Sequence, residues 1–164
     1  MMNFQVQALA KELFQPFFTM DDAQLASHGA RRVIADKPLG YPCRVGLRDA
    51  AVGERLILLP FKHHQVDSPY QASGPIFVRE KSEAAALAMN QLPEEMKSRL
   101  MSVRAYDAEG MINTAEVVDG AQLALRLQQL LQVQSIAYLH LHYAGYGCYA
   151  CKVERVQERS LQMS

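Results

Sequence analysis

The sequence predicts an α+β fold, a single domain with a mainly antiparallel β-sheet and three or four short helices. Segment pattern comes first: about seven stretches read as short strands and only three or four as helices. Their order comes second, since strands and helices do not alternate regularly, as they would in a parallel βαβ fold. Size comes third: 164 residues, 49% hydrophobic and 21% charged, suit one globular core across 1–164. Only the tail, 159–164, is expected to fray.

Phe4, Val6 and Ala8 alternate with polar positions, a short strand. Leu9, Leu13 and Phe17 then follow at helical spacing until Pro16 limits the segment to one or two turns. Thr19 can cap a helix over Met20–Ser27, closed by Gly29. Arg31–Ala35 reads as extended and leads into a proline- and glycine-containing connection, Asp36–Pro42. In Cys43–Asp49 the side chains of Cys43, Val45 and Leu47 alternate with Arg44, Gly46 and Arg48. As a strand, this segment sets its two arginines roughly 13 Å apart on one face.

Arg55–Phe61 is a short apolar run, read as a buried strand. Lys62–Gly74 is the longest irregular stretch, and Pro75–Arg79 returns to strand. Alanine-rich Glu83–Gln91 favours helix, and Pro93-Glu94-Glu95 opens another short one. Met101–Asp107 and Met111–Val118 flank a turn at Ala108–Gly110, forming a hairpin. Asp119 caps the best helix, whose buried stripe is Leu123, Leu127, Leu130 and Leu131.

The most informative stretch is Ile136–Arg155, a second hairpin rich in histidine, cysteine and tyrosine. Before its turn, Ala137, Leu139 and Leu141 share one face and Tyr138, His140 and His142 the other. Keeping apolar faces together pairs Leu141 with Tyr149, Leu139 with Cys151 and Ala137 with Val153. That register needs an odd-length loop such as Ala144-Gly145-Tyr146 and sets His142 beside Cys148.

Acidic and basic residues balance at 17 each, so the chain lacks the charge excess of a duplex-DNA binder. A net charge near zero favours self-association and admits a homodimer. No apolar run approaches the roughly 20 residues that span a bilayer, and the N-terminus lacks a secretory pattern. With three cysteines and no export signal, the expected compartment is the reducing cytoplasm.

Several stretches together resemble a bacterial family, domain of unknown function 1203. They are Tyr41–Asp49, Ser68–Tyr70, Gly74–Val78, Arg104–Asp107 and Gly147–Tyr149, with the basic end Lys152–Arg155. The resemblance implies a small single-domain protein and carries no assigned reaction or cofactor. Cys151 lies outside the family's glycine-cysteine motif, and Lys152 stands where that motif has arginine. A role for Cys148 and Cys151 as a pair would therefore belong to this chain alone.

Three kinds of chemistry compete. Cys148 and Cys151 have redox spacing, but residues three apart on a strand face opposite ways, which argues against a thiol pair. Cys148 beside His142 has the elements of a nucleophile and its base. A metal could draw on His140, His142, Cys148 and Cys43, with His63 or His64 from the irregular stretch.

Arg44, Arg48, Arg104, Tyr70, Tyr106 and His140 form the most suggestive set. Arginine forks recognise carboxylate or phosphate, and tyrosines add donors and stacking surface. They predict a site for a small anionic molecule. The bland alternative is that each arginine pairs with a nearby carboxylate such as Asp49 or Asp107. Whether such a site catalyses a reaction is open. The competing class is an interaction module with these side chains at a dimer or partner surface.

Overall fold

A computed structural model describes residues 1–157. Its strands are β1 (Asn3–Gln7), β2 (Arg31–Ile34), β3 (Arg55–His64), β4 (Ala72–Arg79), β5 (Leu100–Tyr106), β6 (Ile112–Asp119), β7 (Tyr138–Tyr143) and β8 (Tyr149–Val156). The α-helices are α1 (Gln15–Phe18), α2 (Asp22–Ser27) and α3 (Gly120–Leu130), with 3-10 turns at Lys11–Leu13 and Glu94–Ser98. All strand pairings within the two sheets are antiparallel: one runs β1-β8-β7-β5-β6, the other β2-β3-β4. The fold is α+β, as the segment pattern predicts; the expected frayed tail lies outside the described residues.

The five-stranded sheet buries one face in an aliphatic core. Met101, Val103, Ala105, Leu139, Leu141, Cys151 and Val153 meet Leu123, Leu127, Leu130 and Leu131 there. This is the leucine stripe expected of α3, and Asp119 caps that helix by accepting the Ala121 N–H. Gly120 opens α3 because a Cβ there would lie 2.1 Å from the Met96 carbonyl oxygen. A smaller core under β2-β3-β4 gathers Phe14, Leu25, Ile57, Leu59, Ile76 and Val78. Pro60 sits on β3 beyond the end of its pairing with β2, where its missing N–H leaves no ladder bond unmade.

Four sequence expectations differ from the structure. Residue 43–49 is not a strand: Leu47 N–H bonds to the Cys43 carbonyl, Leu47 takes φ +53, and the segment closes as a loop. Arg44 consequently turns inward, while Arg48 stays exposed, so the two do not share a face. Glu83–Gln91 is not helical, because long-range backbone bonds hold it extended. Ala85 donates to Val45, Asn90 exchanges bonds with Phe4, and Gln5 reaches the Leu87 carbonyl. Helix propensity of a few tenths of a kcal/mol per residue yields to such contacts. The cap of α2 is Asp21, in a reciprocal capping box with Gln24, not Thr19. Finally, β3 extends through Lys62-His63-His64, shortening the expected irregular stretch.

The final hairpin also pairs differently. Leu141 faces Cys151, Leu139 faces Val153 and His142 faces Tyr149. A bulge between Tyr149 and Cys151 adds one residue, and the loop is Ala144–Gly147, ending at Gly147 with φ +79. The bulge lets Tyr149 join the histidine face while Ala150 and Cys151 both enter the core, a combination strict alternation cannot reach.

Arg44 ties the two sheets together. Its backbone N–H donates to Phe77 of β4, and its side chain donates through Nε to the Tyr149 carbonyl (2.6 Å) and through Nη1 to the Pro42 carbonyl. The guanidinium is 2% exposed and lies 5.1 Å from the centre of the Tyr143 ring. Truncation would leave both carbonyls unpaired and a cavity behind them. Arg44→Ala is expected to lower unfolding free energy by about 3 kcal/mol in urea titrations; a loss well under 1 kcal/mol would contradict the tie.

Candidate functional site: a histidine and tyrosine face

The second face of the five-stranded sheet carries Arg104 and Tyr106 from β5, Tyr138, His140 and His142 from β7, and Tyr149 from β8. Alternation places them there, opposite the leucine core. The end of β3 packs across this face. A register shift between Phe61 and His64 puts an extra residue in β3, and with it both His63 and His64 meet the same cluster. A regular strand would send those neighbours to opposite sides.

The rings interlock. His63 stacks on Tyr149, with centroids 5.1 Å apart and planes within 6°, and meets His142 edge-on at 5.2 Å. His64 lies 3.9 Å from Tyr106 and 5.0 Å from His140. His140 and His142 are 3% and 1% exposed, whereas His63 and Arg104 are partly open.

Hydrogen bonding divides the four histidines. His64 is satisfied at both nitrogens, Nδ1 with the Tyr70 carbonyl (2.7 Å) and Nε2 with the Tyr138 hydroxyl (2.6 Å). The carbonyl can only accept, so Nδ1 carries a proton, and Nε2 shares a hydrogen bond with the Tyr138 hydroxyl. His142 donates Nδ1–H to the Gly147 carbonyl (2.9 Å), leaving Nε2 as a lone pair. That Nε2, His63 Nδ1 and His140 Nδ1 are buried without hydrogen-bond partners. One ligand atom from each of His63, His140 and His142 lies within 4.8 Å of the other two, the one such group among the described residues.

Burial sets the charge state. Desolvation lowers His140 to about 2, aided by the neighbouring histidines. It lowers His63 and His142 to about 4 each, with Arg104 the next contributor for His63. All three are neutral imidazoles at pH 7. Burial raises Tyr106 and Tyr138 above the ordinary phenol value and Tyr149 further still, so the face holds protonated phenols.

The structure brings Arg104, Tyr106, His140 and His142 together on this face. Tyr70 contributes its backbone carbonyl to His64, while its side chain is 39% exposed. Arg44 lies behind Tyr149 with its donors committed to carbonyls, and Arg48 stays exposed on the loop. Cys148 is not opposite His142, because the bulged register puts Tyr149 there, and it does not join the three-histidine group. All three cysteines are free: Cys43 Sγ accepts from Gly46 and Arg79 N–H, and burial pushes Cys151 up to about 12.

The expected carboxylate partners are otherwise engaged. Asp49 pairs with Arg99, and Asp107 accepts the N–H groups of Glu109 and Met111. Among the described residues, neither Arg44 nor Arg104 has a carboxylate within 4.0 Å. Sequence alone offers His63 and His64 as alternative ligands, and it is the β3 bulge that places His63 with His140 and His142. The only signal in the chain was their place at the start of an irregular stretch. Two surface depressions, about 390 and 570 Å³, lie along the Arg79–Lys81 edge and contain no histidine.

These features define a two-sheet α+β protein whose sheets enclose a face of phenols and imidazoles, three of them uncharged, with a guanidinium beside them. The chain belongs to the family described as Protein of unknown function (DUF1203), whose model matches residues 40–155. The matched span includes β3, β5, β7 and the start of β8, and so every residue of the histidine face. No curated protein and no solved structure matches the chain. No helix among the described residues is long and apolar enough to cross a membrane.

The neutral histidines impose a pH dependence on stability. Their folded pKa values lie below the unfolded value near 6.5, so the unfolded chain binds more protons from about pH 6.5 down to about 4 for His63 and His142, and down to about 2 for His140. Their contribution is complete above that window and is lost on acidification. With as many as three protons taken up on unfolding, the unfolding free energy is expected to fall by up to about 4 kcal/mol per pH unit near pH 5. Urea midpoints between pH 7 and 5 measure this, and a flat profile would contradict the neutral cluster.

Proposed function

We propose that the protein binds a small anionic molecule, a carboxylate or phosphate, at the histidine face, with Arg104 as its anchor. The observation that carries this is an uncompensated charge. Arg104 lies near the neutral imidazoles of His63 and His142 and, among the described residues, has no carboxylate partner. Lys152, across the ladder from His140, is instead paired with Glu154. The local field is therefore positive and partly shielded from water, which strengthens attraction for an anion relative to an exposed arginine.

Tyr106 lies beside the guanidinium and supplies a phenolic donor held protonated by burial. The partly open His63 and Arg104 mark the side from which a ligand enters, while His140 and His142 form the floor. Binding is the proposed activity, and no reaction step is assigned to it.

Thermal stabilisation by phosphate and by a panel of small carboxylates, in metal-free protein, tests this. Wild type is expected to gain several degrees with at least one of them, and Arg104→Ala to lose at least tenfold in apparent affinity with its oligomeric state unchanged. If no member of the panel stabilises wild type, or if Arg104→Ala instead dissociates an oligomer, the face is an interaction surface.

A further inference from the structure

We propose that His63, His140 and His142 form a three-nitrogen site for a divalent first-row transition ion, with Zn²⁺ the expected occupant. This goes beyond anion binding at Arg104 and stands without it. Three independent features of the geometry converge on the same three rings.

The first is placement. His140 and His142 stand two residues apart on β7 and share a face, while His63 arrives from the other sheet through the β3 bulge. A ligand atom from each lies within 4.8 Å of the others. With Zn–N bonds near 2.0–2.1 Å, tetrahedral ligands stand about 3.3 Å apart, so the nitrogens close by up to about 1.5 Å. His63 is the least buried of the three and has the most room to make that movement.

The second is unused bonding capacity. Buried polar atoms are nearly always satisfied, and a buried unpaired group costs about 1–3 kcal/mol. His63 Nδ1, His140 Nδ1 and His142 Nε2 are nevertheless without partners, and they account for all but one of the buried unsatisfied side-chain atoms among the described residues. His64, in the same ring cluster, provides the contrast. Both its nitrogens are engaged, and it lies outside the three-residue group.

The third is ligand orientation. His142 donates Nδ1–H to the Gly147 carbonyl, the arrangement that fixes a metal-binding imidazole's tautomer and leaves Nε2 to coordinate. His63 is held in plane by its stack on Tyr149.

Imidazole nitrogen suits Zn²⁺, Cu²⁺, Ni²⁺ and Co²⁺ better than Ca²⁺ or Mg²⁺, which demand oxygen. Three protein ligands leave at least one position for water or another small ligand. No thiolate or carboxylate belongs to the group, so the ion keeps its full charge.

The test titrates full-length, chelator-treated protein with Co²⁺ and then Zn²⁺, in buffer free of coordinating anions. Calorimetry gives stoichiometry, and the visible bands of four-coordinate Co²⁺ report geometry. One equivalent is expected. His63→Gln, at the partly exposed position, is expected to weaken binding about 100-fold or more with far-UV circular dichroism unchanged. His140→Ala and His142→Ala should do the same where they fold, and His64→Ala should retain one equivalent. Failure of wild type to bind either ion stoichiometrically would overturn the site, as would His63→Gln binding like wild type. Arg104→Ala separates the two sites: Co²⁺ uptake retained in this titration, with stabilisation by phosphate or carboxylates lost in a separate thermal melt, leaves the metal site standing.

Discussion

Arg44 carries a positive charge into a region where, among the described residues, no carboxylate lies within 4.0 Å of it, and the position of the histidine face depends on how that charge is accommodated. Burial alone lowers its proton affinity, and nearby polar groups oppose that effect. Its two side-chain bonds end on carbonyl oxygens, one of them Tyr149 at the start of β8. Its backbone bonds reach Phe77 in the three-stranded sheet and Leu9 after β1. The Tyr143 ring lies near the guanidinium groups of both Arg44 and Arg99, and Arg99 holds Asp49 at the far end of the same loop. A short loop thus fastens two sheets that share no ladder. Carbonyl oxygens serve better here than a buried carboxylate, because they bring acceptor dipoles without a second ion to desolvate.

Two bulges then create the site on that frame. One adds a residue at the end of β3 and turns both His63 and His64 toward the five-stranded sheet; the other, at Ala150, turns Tyr149 onto His63. Both interrupt regular pairing beside the same cluster, as bulges near functional sites commonly do. The resulting enclosure is dry enough to suppress imidazolium formation, and neutral imidazole is the form that coordinates metal. Arg104 supports the same condition, since its charge further disfavours protonation of His63 and His142. An anion beside Arg104 and a cation between the histidines would be mutually favourable at close range.

Much of this was legible in the chain. Alternation in Tyr138–His142 and in Met101–Tyr106 separates the polar and leucine faces of β7 and β5, and Asp119 followed by the leucine stripe marks α3. Local pattern and structure part where a long-range contact outweighs the pattern. Cys43–Asp49 alternates like a strand, yet the Arg44 tie draws its polar position inward. Glu83–Gln91 has the composition of a helix, yet Phe4 and Val45 claim its backbone. The hairpin register failed for a narrower reason: alternation has no term for an added residue, so Cys148 took the place that belongs to Tyr149. His63 and His64 could not be told apart as ligands for the same reason, since the β3 irregularity that brings both to the cluster leaves no trace in the alternation.

The claim on which the whole site rests is that three neutral imidazoles face one another with lone pairs free. Long-range proton–nitrogen correlation spectra of ¹⁵N-histidine-labelled, metal-free protein at pH 7 observe this directly. His63, His140 and His142 are predicted to show one protonated and one bare nitrogen each, with His142 protonated at Nδ1. An imidazolium pattern at any of the three, or His142 protonated at Nε2, would contradict it.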